Sequence, residues 1–549
     1  LSEFSRTNGV YFSLTMYHDK GGNTMAKFNQ VVKTGVQSPI KTTVKTVNAD
    51  GFAAFQRDTK SELFLLAVSN FVGQDMFYEN AKNRDDRFAK LCQAVAVQDS
   101  DWFRKFVGWL RNGAQMRSAS IVAAAEGAKA LLDAGAVNGS PRALVAASMA
   151  RADEPGEFLA YWTSKYGKNL PQSIKKGVAD AANRLYNEYS LLKYDTDSKG
   201  FRFADVLQLS HAKAKDAKQN DLFHYALNRR YGKEHVIWHH NAQIPLNLPM
   251  IDIRRFIMDL PVNKRRDYLS KAPEAFKSAG MTWEALAGWL QGPMDAQAWQ
   301  SVIPNMGYMA LLRNLRNFQE AGVDTKVFKS VLTKLSNKDE VAKSRQFPFR
   351  FLSAYQANLG NLKIAAALEE ALESSLINVP ALSGKTLILV DRSGSMFWSN
   401  DDKMNLTLAD QAAIFGSSLA LRAESATLVQ FGSSSSEINF RKGDSVLKLV
   451  KDSFIGMGGT ATDRAIKAHF KDHDRVILIT DEQYNSGHAP SVPKGTPMYT
   501  WNLGGYPAAQ AESGSNKKHT FGGLTDKAFS MIPMLESGQS GVWPWDLVE

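Results

Sequence analysis

The sequence predicts two unlike parts, an all-α array of helical pairs followed by a doubly wound α/β domain. Three observations carry the prediction. Between residues 50 and 375, apolar residues recur at three- and four-residue spacing in one segment after another, with turn residues between segments. Near residue 380 the pattern changes to continuous apolar runs of strand length alternating with helical periods. The basic excess ends at the same place. Residues 1–380 hold 50 Lys and Arg against 37 Asp and Glu, whereas residues 381–549 hold 16 against 18.

Taken in order, residues 1–24 are set aside as a tag or leader, because the chain opens on Leu1 and Met25 offers a natural start. Residues 25–378 form the helical domain. Its helical periods cover 62–72, 85–98, 101–112, 118–134, 142–151, 155–166, 170–185 and 203–210, then 251–260, 264–272, 283–289, 308–319, 326–335 and 359–374. Asn112-Gly113, Ala134-Gly135, Asn138-Gly139-Ser140-Pro141 and Gly292-Pro293 punctuate them. Short helices joined by short turns make an α-solenoid, and a solenoid's curvature makes a concave surface or a ring. Residues 379–549 form the second domain. Strands over 385–390, 426–431, 475–480 and 497–503 alternate with helices over 405–422, 462–470 and 526–535, the order of a parallel sheet covered on both faces.

The chain of 549 residues allows two to four domains at about 100–200 residues each. Apolar residues at 44% and charged residues at 22% exclude a disordered, collagen-like or disulfide-scaffold protein. Cys92 stands alone, so no intramolecular disulfide or cysteine-based zinc site can form, as expected of a reducing, cytoplasmic compartment. The most apolar stretch, 118–137, carries Glu126, Lys129 and Asp133, too many charges for a membrane span. The net charge of +11 resides in the first two-thirds and suits a polyanionic partner, nucleic acid first. His239-His240 is read as surface, since adjacent helical residues point apart.

Ligands in a parallel sheet bind at the carboxyl ends of the strands. There, Asp391-Arg392-Ser393-Gly394-Ser395 follows the first strand, the Gly-rich Gly456-Met457-Gly458-Gly459-Thr460 precedes a helix, and Asp481 follows the strand over 475–480. Carboxylates and hydroxyls in this pattern are what a hard cation such as Mg²⁺ takes. A Ser- and Gly-rich turn capping a helix is the plainer reading. The set resembles the metal-ion-dependent adhesion site of von Willebrand factor A domains. The resemblance implies that Asp391, Ser393, Ser395, Thr460 and Asp481 form the metal site, the serines binding Mg²⁺ directly and the aspartates often through water.

The helical part carries its own wording: Met116-Arg117, Leu170-Pro171-Gln172-Ser173-Ile174-Lys175-Lys176, Leu192-Lys193-Tyr194, Phe203 to Lys213, Met309 to Leu315, and Ser344-Arg345-Gln346-Phe347-Pro348-Phe349. In this order, and followed by an A-type domain, these segments resemble a TROVE domain, and the chain from about residue 30 to 545 resembles the bacterial branch of the Ro ribonucleoprotein family. The resemblance implies HEAT-type repeats bent into a ring that the A domain closes. It also implies binding of Y-like small noncoding RNA on a basic outer surface, single-stranded 3′ ends of structured or misfolded RNA in the ring, and an exonuclease partner such as polynucleotide phosphorylase. By resemblance Lys193 and His211 contact Y RNA. Arg117, Lys175, Lys176, Lys199, Arg202, Lys213, Lys215, Arg313 and Arg345 complete the candidate phosphate ligands.

This chain departs from the family after Tyr194, where Asp195-Thr196-Asp197 replaces further basic residues and Lys199 and Arg202 stand in. Plainer readings stay open beside these. His211 can be a core residue or helix C-cap, Lys175-Lys176 a solvated face, and Arg313 and Arg345 bridges between helices. The expected protein is a non-catalytic, monomeric RNA binder. Two rivals are an adhesion-type module capturing a partner's carboxylate and a Mg²⁺ nuclease, though the latter wants more convergent carboxylates.

Overall fold

The computed structural model describes residues 35–69, 71–136, 140–232, 247–398 and 407–547. The readings of residues 1–24, of the Asn138-Gly139 turn and of His239-His240 lie outside them. Helices dominate from Thr59 to Ser375, and a mixed sheet with flanking helices follows from Lys385. No helix among the described residues is long and apolar enough to cross a membrane.

Helix starts follow local chemistry. The side chains of Asn80, Asp99, Asp216 and Asn361 each accept a main-chain N–H of the first turn that follows, meeting donors that a helix leaves unpaired. The helix Arg117–Asp133 is buried along most of its length. Its fully buried Glu126 accepts from Gln93, Tyr161, Tyr166 and Lys165 at 2.5–2.6 Å. That satisfied carboxylate is why a charge stands inside an apolar helix.

Three expectations need correction. The region from residue 50 does not open on a helix. Strands β1 (Thr42–Val47) and β2 (Ala53–Arg57) make an antiparallel hairpin. Nearly every β1 side chain is exposed, so the strand lacks an apolar alternation to betray it. The predicted helix over 308–319 is two, Tyr308–Arg313 and Leu315–Glu320. Buried Asn314 donates its Nδ2 to the Ala310 carbonyl, local competition that breaks a helix. The final helix begins as a 3₁₀ turn, Asp526–Ser530, before Met531–Glu536. Helices Glu188–Tyr194 and Ala217–Tyr231 were not anticipated.

In the α/β domain, β3 (Lys385–Asp391) pairs in parallel with β4 (Ser425–Phe431) and with β6 (Arg475–Thr480). Parallel β7 (Met498–Asn502) and β9 (Lys518–Gly522) extend one side, and antiparallel β5 (Ser435–Glu437) closes the other, giving the order β5-β4-β3-β6-β7-β9. Strand side chains alternate between two cores. Leu387 and Leu389 pack with Ala465 and Ile466, whereas Ile388 and Val390 join the large core with Ala412 and Phe415. The chain leaves β3 for β4 on one side and later adds β6 on the other, so the loops after β3 and β6 flank the point where strand order reverses.

Both ends of the helical array meet this domain. At the start, β2 pairs with β8 (Ala508–Ala509), and Arg84 and Arg87 donate to the carbonyls of Gly504 and Gly505. At the end, Glu369 accepts from the Val446 and Leu447 amides, and Asp526 from Asn378. The two ends touch where Phe71 meets Phe347 edge-on at 6.3 Å. The array therefore returns on itself. A C-terminal segment locks the start, with Trp543 and Trp545 stacked beside Trp102 and Phe64.

The segment before β1 is fastened by a buried imidazole. His519 Nδ1 lies 2.9 Å from Ser38 Oγ, and burial pushes its pKa down from 6.5 to about 4. The unfolded chain therefore binds the proton more readily. The stabilisation is whole above pH 6.5 and is lost as pH falls toward 4, amounting to at most about 3 kcal/mol by linkage. Thermal melts between pH 7 and 4 should show a fall in stability that His519→Gln flattens.

Candidate functional site

Two sites emerge, one at the carboxyl edge of the sheet and one on the helical array. At the edge, the three loops that carry the five residues singled out in the sequence lie side by side. Asp391 ends β3, and Asp481 follows β6. Both carboxylates are fully buried, with Ser393, Ser395 and Thr460 nearly so. The Ser393 amide donates to Asp391 Oδ1 at 2.9 Å, and the hydroxyls of Ser393 and Ser395 lie 3.3 Å apart. Ser395 lies close enough to Asp481 to favour its ionised form. Asp391 and the two serines thus form a row of oxygens beside Asp481. Asp481 Oδ2 is buried with no hydrogen-bond partner.

The Gly-rich loop is stitched to this row by main chain. The Gly394 amide donates to the Gly458 carbonyl at 2.6 Å, and the Met457 amide to the Arg392 carbonyl at 2.8 Å. Gly458 has φ of +77°, which admits glycine at little cost. Two groups went unnoticed in the sequence. The Thr480 hydroxyl donates to Asp391 Oδ2 at 2.5 Å, and Asn485 Oδ1 accepts the Thr460 amide at 2.8 Å. A threonine inside an apolar strand and an asparagine in a polar loop carry no signal at sequence level.

Burial raises the pKa of both Asp391 and Asp481, and the charge of Asp391 raises that of Asp481 further. Two buried carboxylates so placed repel each other unless a proton or cation intervenes. Hydroxyls, two carboxylates and one orphaned carboxylate oxygen are a donor set that fits a hard divalent cation. No group of three or more His, Cys, Asp or Glu side chains among the described residues is placed to hold a metal. Replacing Asp481 with Asn should remove the repulsion. In chelator the variant should melt higher than the parent, by on the order of 1 kcal/mol, and it should lose any stabilisation by Mg²⁺.

Nearby, Ser435 Oγ lies 3.0 Å from His469 Nε2, and His469 Nδ1 3.3 Å from Glu437 Oε1. The Glu437 side chain is half exposed and shares the edge strand with Ser435. This row pins β5 to the helix Thr462–His469.

On the array, the candidate cations divide into two sets. Arg202, expected to stand in as a phosphate ligand, is buried and paired with Asp195 at 2.8 Å and with Asp197. That expectation is corrected. Asp195 also accepts the Phe203 amide, so the acids after Tyr194 build a helix start as well as holding Arg202. Arg117 is likewise matched by Asp153, Glu154 and Glu157, and Lys199 lies 3.9 Å from Glu157.

The second set faces solvent. Lys176, Lys193, His211, Lys213, Lys215, Arg313 and Arg345 are exposed and Lys175 is half-buried. Among the described residues none of these eight forms an ion pair with a carboxylate. Lys193 rests over the rings of Tyr189 and Tyr194 at 5.6 and 5.2 Å. His211 is the left-handed C-cap of Phe203–Ser210, φ +54°, and is exposed rather than a core residue. With Lys213 and Lys215 it lines a groove of about 1080 Å³ whose far wall includes Asn220, His224 and Asn228. Arg345 is also a left-handed helix cap. It stands beside a smaller cavity of about 340 Å³ where the two ends of the array meet the α/β domain.

Comparison with known proteins fits this architecture. The TROVE domain family model matches residues 278–384. A 78-residue stretch is 41% identical to telomerase protein component 1 of Mus musculus, covering 14% of this chain and 3% of that protein. The Rattus norvegicus counterpart is 41% identical over 64 residues, 11% of this chain and 2% of that protein. The matches thus span only a few per cent of those long relatives. The crystal structure of the Ro (Rsr) protein of Deinococcus radiodurans superposes with a TM-score of 0.56 at 18% identity, covering 88% of this chain and 100% of that one. That likeness is one of fold.

The class is a helical-repeat protein closed by a doubly wound α/β domain. The resemblance to the Ro family drawn from the sequence is borne out by the TROVE match together with the fold shared with a Ro protein.

The split among the cations is testable. Arg202→Ala leaves Asp195 buried without its main partner and should cost roughly 3 kcal/mol of stability. Denaturant unfolding measures it, with Lys213→Ala as the control that stays within about 0.5 kcal/mol.

Proposed function

We propose that the protein is a non-catalytic RNA-binding scaffold. It holds small noncoding, Y-like RNA along the groove lined by His211, Lys213 and Lys215, and it accepts single-stranded 3′ ends of structured or misfolded RNA at the closed array. The observation that carries this reading is the groove itself: exposed cations with no carboxylate partner among the described residues, on an array that carries the chain's whole positive excess. Phosphates supply counter-charge that the protein does not provide here. Lys193, fixed over two tyrosines, adds a positioned cation. Arg117 and Arg202 serve the fold instead.

In this reading Mg²⁺ is the ion that Asp391, Ser393, Ser395, Thr460 and Asp481 hold. When bound, it would supply a fixed positive charge and Lewis acidity toward an oxygen ligand. The residues' own part is to present oxygens from three loops and to keep bulk water from the two carboxylates. Polynucleotide phosphorylase, or a similar exonuclease, is the proposed protein partner, reached through the bound RNA. A second reading, a metal-dependent module that captures a partner's carboxylate, draws on Ile455. This residue is 60% exposed on the loop that leads to the Gly-rich segment.

Gel shifts with a hairpin bearing a single-stranded 3′ tail, and with the same hairpin blunt, at two salt concentrations, separate the readings. Tighter binding of the tailed RNA, weakening steeply with salt, is expected. Absence of RNA binding at either salt leaves the protein-partner module. Clean turnover of labelled RNA by pure protein with Mg²⁺ would overturn the non-catalytic assignment. The double variant Lys213→Ala/Lys215→Ala should weaken binding on the order of tenfold and lower the slope of log K against log salt by about 1.5, two phosphates' worth.

A further inference from the structure

The hairpin β1–β2 meets the α/β domain in two places, along β8 and at the loop that follows Asp481. Asn48 Nδ2 donates to the Tyr484 carbonyl at 2.7 Å, and the Ala49 amide to Gln483 Oε1 at 3.3 Å. From the other side the Tyr484 hydroxyl donates to the Ala53 carbonyl at 2.6 Å, with its ring against Phe52 at 5.4 Å. Arg57, at the end of β2, makes a fully buried ion pair with Glu482. A buried arginine and four further contacts thus fasten this loop to the hairpin.

The loop so held joins two limbs of the candidate metal site. Its Gln483 amide donates to Asp481 Oδ1 at 3.0 Å, and its Asn485 exchanges hydrogen bonds with the main chain of Thr460 at 2.8 and 3.3 Å. Displacing Tyr484 therefore pulls at once on Asp481 and on the Gly-rich loop. The helical array reaches the same place. Tyr78, just before the helix Ala81–Gln98, donates to Asp50 of the hairpin turn at 2.8 Å and packs edge-on against Tyr506 at 5.5 Å. Gly504 packs so closely on Asp481 that an added Cβ would meet the Asp481 Cβ at 2.8 Å, and Arg84 of that helix donates to its carbonyl.

We infer that Asn48, Arg57 and Tyr484 are positioning residues for the metal site, through which the seating of the hairpin and the first helices of the array is thermodynamically coupled to occupation of that site by a divalent cation. The inference rests on the metal reading given above. Coupling of this kind is reciprocal: what tightens the hairpin tightens the ion, and the ion tightens the hairpin by the same factor. The contacts lie outside the oxygen row, so their effect reaches the ion only through the loops.

The test uses the full chain and MgCl₂ as the probe. Calorimetric titration gives Mg²⁺ affinity, and amide hydrogen exchange of residues 42–57 is followed with Mg²⁺ and with chelator. Tyr484→Phe removes one hydroxyl and keeps the ring, Asn48→Ala removes the grip on the loop, and Tyr78→Phe removes only the link to Asp50. Expected are a loss of Mg²⁺ affinity of about tenfold in Tyr484→Phe and Asn48→Ala, within the usual range of coupling, a smaller loss in Tyr78→Phe, and slower hairpin exchange when Mg²⁺ is present. Parent-like affinity in all three folded variants, with hairpin exchange indifferent to Mg²⁺, would overturn the coupling and leave the metal site standing. A parent protein that binds no Mg²⁺, indistinguishable from Asp481→Asn, would overturn the metal reading and the coupling with it.

Discussion

The structure depends on the closure of the helical array upon the α/β domain. A solenoid buries its faces only against its neighbours, so its two ends are exposed unless something covers them. Here one domain covers both. Arg84 and Arg87 anchor the start to the carbonyls of Gly504 and Gly505, and Glu369 near the end of the array accepts the first amides of the helix Val446–Ser453. Each contact joins a buried or half-buried charge to main-chain dipoles. Such bonds are stronger than neutral ones, and they are costly to leave unmade. The tryptophan pair of the C-terminal segment adds apolar cover on the outer side of the first helices.

That closure decides which charges are free. The array's cations are numerous, but many are consumed in holding repeats together. Arg111 and Arg117 share Glu154, Arg142 takes Asp180, and Arg202 takes Asp195. Net charge therefore overstates the surface a polyanion meets. What is left is concentrated around the left-handed caps and exposed lysines of the middle repeats, where Lys193 sits on tyrosine rings and Lys213 and Lys215 border the groove.

The α/β domain shows the opposite arrangement, a buried concentration of negative charge. Asp391 ends β3 and Asp481 immediately follows the adjacent β6, at the point where the strand order reverses, which sets the two carboxyls side by side. The loops then supply hydroxyls and glycine-permitted close approach. Two carboxyls held in one dry place repel whenever both are ionised. The loop after Asp481 is tied down by the hairpin, by Asn485 and by a buried ion pair, as a site under such repulsion requires.

Much of this was legible in the sequence. Periodicity determined the helical array, since its helices bury one face each and repeat that face every three or four residues. The α/β class followed from strands buried on both sides, which must read as unbroken apolar runs. The candidate metal-site residues stood out by their order of acid, hydroxyl and glycine at strand ends. Tertiary structure alone decided the rest. The hairpin escaped notice because its first strand is solvated on both faces, and Asn314 because its backbone competition acts only once it is buried. The roles of Arg117 and Arg202 were set by acids 36 and 37 residues away in one case and by a turn-forming pair in the other. Residue type and local spacing report what a side chain can do. Which partner it meets is fixed by the fold, and for a charge that choice of partner decides between structure and binding.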